Sequence, residues 1–303
     1  MLRISEFDAV LVFLRSSTTE TVIFKLREMR LLLGELSCSH CSNRMVCVPY
    51  AKCIDGHTWR CYKGTCEGKK LRISIRKNSM FSESKLSLVD TMSIVFYFSQ
   101  GKSIIEASTD FGISRKTTGS IYKLLRLQIS SYISNEPARL GGPGAVCQVD
   151  ESLFCHKVKA HRGRAPREQV WVFGILYDIA KSLGNFYVQV VSNRSAAVLQ
   201  PIFEQVVCDY SEIYSDEWAA YPAICRNLGL AHKIVNHSRH FVNPESGVHT
   251  QNIESLWNVL KSKIKKMCGV RKEDLQDYLN EFMWRNRIQG SAFEALVSLL
   301  KIN

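Results

Sequence analysis

No run of roughly 18 consecutive apolar residues occurs in the chain, so no membrane-spanning helix and no membrane partner are expected. The apolar start is interrupted by Glu6, Asp8 and Arg15, which suits a short helix or strand better than a signal peptide. Internal repeats and low-complexity tracts are missing as well, and 303 residues of 46% hydrophobic and 22% charged composition make an ordinary globular chain of two or three domains. Acidic residues are in short supply, 28 Asp/Glu against 40 Lys/Arg, a net charge of +12. The shortage is uneven: residues 1–140 carry 21 basic and 12 acidic side chains, the remainder 19 and 16, so the N-terminal part is the better polyanion binder.

A regular cysteine framework is also lacking. Eleven cysteines are scattered irregularly, which speaks against a secreted disulfide scaffold, but six fall between 38 and 66 and point to metal in a reducing compartment. The segment "CSHCSNRMVCVPYAKCIDGHTWRCYKGTC" holds the pair Cys38 and Cys41 at zinc-knuckle spacing and the looser pair Cys61 and Cys66. These four are the expected ligands of a structural zinc ion in a ribbon spanning 38–80; Cys47, Cys53, His40 and His57 leave the choice of four open.

From 86 the pattern turns helical. "LSLVDTMSIVFYFSQ" repeats apolar residues at helical spacing up to Gly101. "SIIEASTDFGISRKTTGSIYKLLRLQIS" then reads as helix, turn at Phe111-Gly112-Ile113, and a second helix capped by Ser114. In a helix-turn-helix, Arg115, Lys116, Thr117 and Thr118 would face a DNA groove; a plain three-helix connector fits the same pattern. That helical domain is placed at 81–134, followed by the linker "NEPARLGGPGA" at 135–145. Beyond it, "AVCQVDES", "QVWVFGILYD" and "NFYVQVVS" read as a three-strand meander. A helix at 195–209, a strand "EIYSD", a helix from 217, a strand near "HKIVNH" and a helix from 250 complete an α/β domain over 146–290, with 1–37 unassigned and 291–303 a tail.

Asp150 stands where the apolar strand "AVCQV" runs out, Asp216 where the strand "EIYS" runs out, and Glu254 opens the helix from 250. Two strand-end aspartates and a helical acid suit a two-metal phosphoryl-transfer site, because hard Mg2+ or Mn2+ ions take oxygen ligands. Each acid also has an ordinary use as a turn former or a helix-dipole partner, and Glu151, Asp178 and Glu217 are equally acidic neighbours. The segment "HKVKAHRGRAPR", with Arg162 and Arg164, has the basic density of a hairpin that follows a DNA backbone. Trp171, Phe173, Trp218, Trp257 and Trp284 are read as core; His237, His240 and His249 either bond within their loop or position phosphate or water near Glu254.

The strings "VDESLF", "RGRAPREQVWVFGILYD", "SNRSAAVLQPIF", "YSDEWAAY", "VNHSRHFVNPESGVHTQNIESLWNVLK" and "EFMWR" occur in the order seen in Merlin-superfamily DNA transposases and their bacterial insertion-sequence relatives. Upstream, "DGHTWRC" and "LRISIRKNSMFSESKLSL" extend that resemblance, which covers roughly residues 38–290. It implies an RNase H-like core with a DDE triad falling on Asp150, Asp216 and Glu254, with Asn252 replacing or assisting Glu254. Lys261, seven residues after Glu254, matches a position where such enzymes carry a DNA-contacting basic residue; Lys263, Lys265 and Lys266 either extend that track or form a solvated helix face. It further implies two catalytic Mg2+ or Mn2+ ions, terminal inverted repeats and target DNA as partners, and a homodimer or larger assembly on DNA. Such an enzyme works in the nucleus of a eukaryotic host, otherwise in the cytoplasm or nucleoid. The alternative is a domesticated DNA-binding descendant without cleavage.

Overall fold

The computed structural model describes residues 6–67, 71–154, 170–177, 185–235 and 247–302. The chain divides into two compact units, 1–128 together with 289–303, and 129–288.

In the first unit, α1 (Glu6–Ser16) and α2 (Thr19–Glu28) precede a three-stranded antiparallel sheet of β1 (Val46–Pro49), β2 (His57–Arg60) and β3 (Arg72–Ser74). So small a sheet encloses little apolar surface, and Arg76 supplements it: its guanidinium makes a buried two-pronged pair with Asp55 and donates to the carbonyls of Ser84 and Leu86, each at 2.7 Å. The helical run expected from 86 resolves into α3 (Leu88–Ser99), α4 (Ile104–Phe111) and α5 (Arg115–Asn135). Ser103 and Glu106 form a reciprocal capping box at the start of α4, and Gly112, at φ 64°, ends it in the left-handed conformation that a side chain disfavours. Ser114 accepts the Thr117 N–H at 3.1 Å and so starts α5 as expected. The C-terminal segment is no loose tail: a helix at Ala292–Leu299 packs on α3 with Phe293 edge-on to Phe96.

The second unit is a mixed α/β domain. After the short β4 (Leu140–Gly141), the strands β5 (Val146–Leu153), β6 (Trp171–Tyr177) and β7 (Phe186–Val191) form the expected antiparallel meander. Then follow α6 (Ala196–Val206), β8 (Val207–Cys208, parallel to β4), β9 (Glu212–Ser215), α7 (Ala220–Leu228), β10 (Ala231–Ile234), α8 (Gln251–Lys266) and α9 (Leu275–Arg287). The sheet order is β10-β9-β5-β6-β7, with β9 parallel to β5 and β10 parallel to β9.

Strand side chains alternate, so β5 serves two faces. Cys147 and Val149 join Phe173, Ile175, Leu199, Phe203, Tyr221 and Ile224 in the core under α6 and α7. Gln148 and Asp150 turn to the opposite face, where α8 packs on β5 and β6. On the outer strand β7, side chains of α9 occupy the backbone: Val190 N–H donates to Gln276 Oε1 at 2.7 Å and Val188 N–H to Met283 Sδ at 3.3 Å. An edge that would otherwise offer free hydrogen-bonding groups is thereby covered.

Candidate active site

Asp150 lies inside β5 rather than at its end. The apolar pattern stops there, but the ladder runs on through Glu151 opposite Phe173 and Ser152 opposite Val172, because both polar side chains are buried. Asp216 is the first residue after β9; its Oδ1 accepts the Trp218 N–H at 2.9 Å, an Asx turn that bends the chain toward α7. Glu254 sits in the first turn of α8, with Thr250 Oγ1 donating to its Oε1 at 3.3 Å. Asn252 shares that turn.

The start of α8 is held from the sheet. Thr250 makes no side-chain cap, and Gln148 Oε1 instead accepts the N–H groups of both Asn252 and Ile253 at 3.1 Å. These are backbone donors that a helix leaves unpaired at its first turn. Gln148, buried two residues before Asp150, thus fixes the register of the helical acid against the strand acid.

A second link joins α8 to β5. The Trp257 indole N–H donates to Asp150 Oδ2 at 2.9 Å. Its ring lies where a Cβ on Gly174 would be, 2.6 Å from the nearest ring carbon, and Gly174 is the residue paired with Asp150 across the sheet. Trp257 is therefore more than the core filler its spacing suggested. Burial pushes the Asp150 carboxyl up to about 6; the Trp257 and Glu151 N–H groups pull it down, and the charges of Asp216 and Glu254 push it further up. Glu151, on the other face, is pushed up to about 7 by burial, against the Tyr221 hydroxyl that donates to it at 2.8 Å.

The three acids are thus near enough to repel one another. Among the described residues, no Lys or Arg forms an ion pair with Asp150 or Asp216, and the three carboxylates do not come within 4.8 Å of one another as a set. Lys261 lies two turns along α8, its ammonium 5.6 Å from the Phe154 ring, which is edge-on to Trp257 at 5.9 Å. Lys265 is exposed farther along, whereas Lys263 turns to the Phe282 ring at 4.9 Å and leaves the track. His249 approaches Gln148 with a 3.4 Å Nδ1 to Nε2 contact, one shell behind the acids. Arg162 and Arg164, with His237 and His240, lie outside the described residues.

In the first unit, Cys38, Cys41, Cys61 and Cys66 bring their sulfurs within 4.8 Å of one another, with Cys38 to Cys66 and Cys41 to Cys61 each at 3.7 Å. That is close to the edge of a sulfur tetrahedron with metal–sulfur bonds of about 2.3 Å, roughly 3.8 Å. The backbone N–H of His40, ahead of that of Cys41, pulls the Cys38 thiol down to about 6, favouring the thiolate that a metal needs. Cys53 is turned away, bonding the carbonyls of Tyr50 and His57, so packing removes it from the alternatives left by spacing. At the start of α5, Arg115 and Lys116 are exposed, while Thr118 is buried and cannot face a groove.

Among solved structures, the pre-cleavage Mos1 transpososome is similar at 8% identity over 69% of this chain and 74% of that one, with a TM-score of 0.27, too slight a likeness to bear on the fold. The family model of the ISXO2-like transposase domain matches residues 146–286, the stretch that contains Asp150, Asp216 and Glu254. The chain is 32% identical over 115 residues to an uncharacterized transposase-like protein of Haemophilus influenzae, a match covering 38% of this chain and 89% of that protein. The chain belongs to the transposase family defined by the ISXO2-like domain.

Proposed function

We propose that this protein is a DNA transposase whose RNase H-like domain cuts a phosphodiester and joins the resulting 3′-hydroxyl to target DNA. Asp150, Asp216 and Glu254, with Asn252 beside them, are the site. The observation that carries the reading is the convergence of Asp216 and Glu254 on a half-buried Asp150, held by Trp257, whose carboxyl is pushed up by burial first and by their charges in addition. Family membership over the same residues and the sheet order β10-β9-β5-β6-β7 support it.

The donor set fits hard divalent cations: oxygens only, mutual repulsion, and no basic partner on either aspartate among the described residues. Asp150, Asp216 and Glu254 would hold such ions between them without all three crowding onto one ion. Two bound Mg2+ or Mn2+ ions would activate the attacking hydroxyl and neutralise the leaving oxygen. Trp257 holds one oxygen of Asp150 and so fixes the orientation of that carboxylate. Gln148 keeps the turn carrying Glu254 in register, and Lys261 binds a backbone phosphate.

The four-cysteine cluster holds a structural zinc, and the α4–α5 helix-turn-helix presents Arg115 and Lys116 to the terminal repeats, with the active unit a dimer that pairs two ends. The relative from Haemophilus is bacterial, which favours the nucleoid over the nucleus. The test is cleavage and end-joining of labelled DNA bearing the flanking repeats, with Mg2+ or Mn2+, comparing wild type with Asp150→Ala and Asp216→Ala. Products from wild type alone are expected. Cleavage by either variant removes the assignment, and specific binding without any product indicates a domesticated binder.

A further inference from the structure

Arg194 lies three residues beyond β7, and two indoles enclose it. Its guanidinium carbon is 4.2 Å from the Trp171 ring centroid and 4.0 Å from that of Trp218. The Trp218 indole N–H also donates to the Arg194 carbonyl at 2.9 Å, so one tryptophan fixes both the backbone and the side chain. Stacking of this kind occupies the faces of a guanidinium and leaves its N–H edges available. Among the described residues, no carboxylate or carbonyl bonds those edges.

The sandwich stands next to Asp216. Trp218, which clamps Arg194, donates its backbone N–H to Asp216, and the Arg194 charge partly offsets the burial that raises the carboxyl of Glu151 on the other face of β5. An arginine used only for packing has no need to stand immobilised beside two acids. One held flat with its edge open is prepared for an anion that offers two oxygens side by side, and in a chain of +12 net charge read as acting on DNA that anion is a phosphodiester with its two non-bridging oxygens.

We propose that Arg194 is a DNA phosphate clamp: its stacked guanidinium donates two N–H bonds to one backbone phosphate of the strand lying at Asp216. This rests on the reading of the site as one that cuts DNA, and it adds a contact that no motif marked. Trp171 and Trp218 are positioning residues for it, holding the fork in one orientation before DNA arrives.

The test uses the full chain and a fluorescent duplex carrying the terminal repeat that flanks the coding sequence, without divalent cation so that no strand is cut. Affinity is measured across a KCl series for wild type, Arg194→Gln and Arg194→Lys, with melting curves to check folding. Arg194→Gln is expected to flatten the salt slope by about one unit. Single methylphosphonate substitutions scanned along the duplex should weaken wild type at one position where Arg194→Gln is indifferent. An unchanged slope with an unchanged methylphosphonate profile overturns the clamp.

Should Arg194→Gln unfold, Arg194→Lys decides, because it keeps the charge but not the fork. A several-fold loss of affinity at equal slope supports the proposal, and equal affinity overturns it. Asp216→Ala, assayed in parallel with Mg2+, separates the two readings: cleavage surviving there removes the acid assignment while a slope change in Arg194→Gln still supports the clamp. Absence of any salt-dependent affinity in wild type overturns both.

Discussion

Trp257 and Gly174 make the clearest residue-scale case. The ring occupies the space a Cβ at 174 would take and delivers its N–H to Asp150. Trp257→Phe keeps most of the ring but removes the donor, and a hydrogen bond to a charged acceptor contributes roughly 1.5–3 kcal/mol. The fold should survive while Mn2+ binding, followed by calorimetry, weakens; unchanged binding would make the tryptophan a packing residue only. Gly174→Ala should cost about 1–3 kcal/mol in urea unfolding, since the ring must shift off the strand that carries Asp150's partner. Equal midpoints for Gly174→Ala and wild type would contradict that geometry. Neither residue advertises this role: a tryptophan three positions from Glu254 has core spacing, and a strand glycine signals only a close approach.

At the scale of elements, α8 takes its N-terminal acceptor from another element. Gln148→Ala removes the acceptor for two backbone donors and should destabilise the second unit by roughly 1–3 kcal/mol, with cleavage falling further because Glu254 loses its register. Gln148→Glu keeps an acceptor at the positive end of the helix dipole and should hold stability, which denaturant titration of both variants checks. The capping box of α4 gives a pH dependence. The backbone N–H of Ser103, then its side chain, then Lys102 hold the Glu106 carboxyl at about 2, below its ordinary 4.5. A depressed carboxylate stabilises the fold fully above about 4.5 and loses that contribution as pH falls through about 2. The melting temperature of Glu106→Ala should therefore lie below wild type at pH 7 and converge with it near the acid limit; a gap that persists there would assign the effect to packing.

For the whole molecule, one zinc per chain is expected, and its removal by a chelator should abolish the preference for the terminal repeat and weaken affinity while leaving the second unit, with its own core and with Lys261 and Arg194, folded and still able to bind DNA. Elemental analysis and thiol titration test this. Cys41→Ser should lose the metal and Cys53→Ser retain it, and retention by both would refute the ligand set. The net charge of +12 makes affinity salt-dependent, and Lys261→Ala should reduce the slope by about one unit independently of Arg194. An unchanged slope would make Lys261 a bystander.

The sequence by itself determined the α/β character of the second unit, the meander, the order of the three acids and the two cysteine pairs. The strands and the cysteine pairs rest on local spacing, namely period-two alternation, glycines at turns and short ligand intervals, whereas the choice of Asp150, Asp216 and Glu254 over their acidic neighbours came from the resemblance to Merlin-superfamily transposases. Only the tertiary structure decided which four of six cysteines meet, that Thr118 turns inward, that β5 continues past Asp150, and that Trp171 and Trp218 grip an arginine. The bonds that set the site span 104 residues from Gln148 to Asn252 and 107 from Asp150 to Trp257. Such pairs are brought together by the parallel crossover and by packing of α8 on the sheet, and a contact made that way leaves no periodicity in the chain from which to read it.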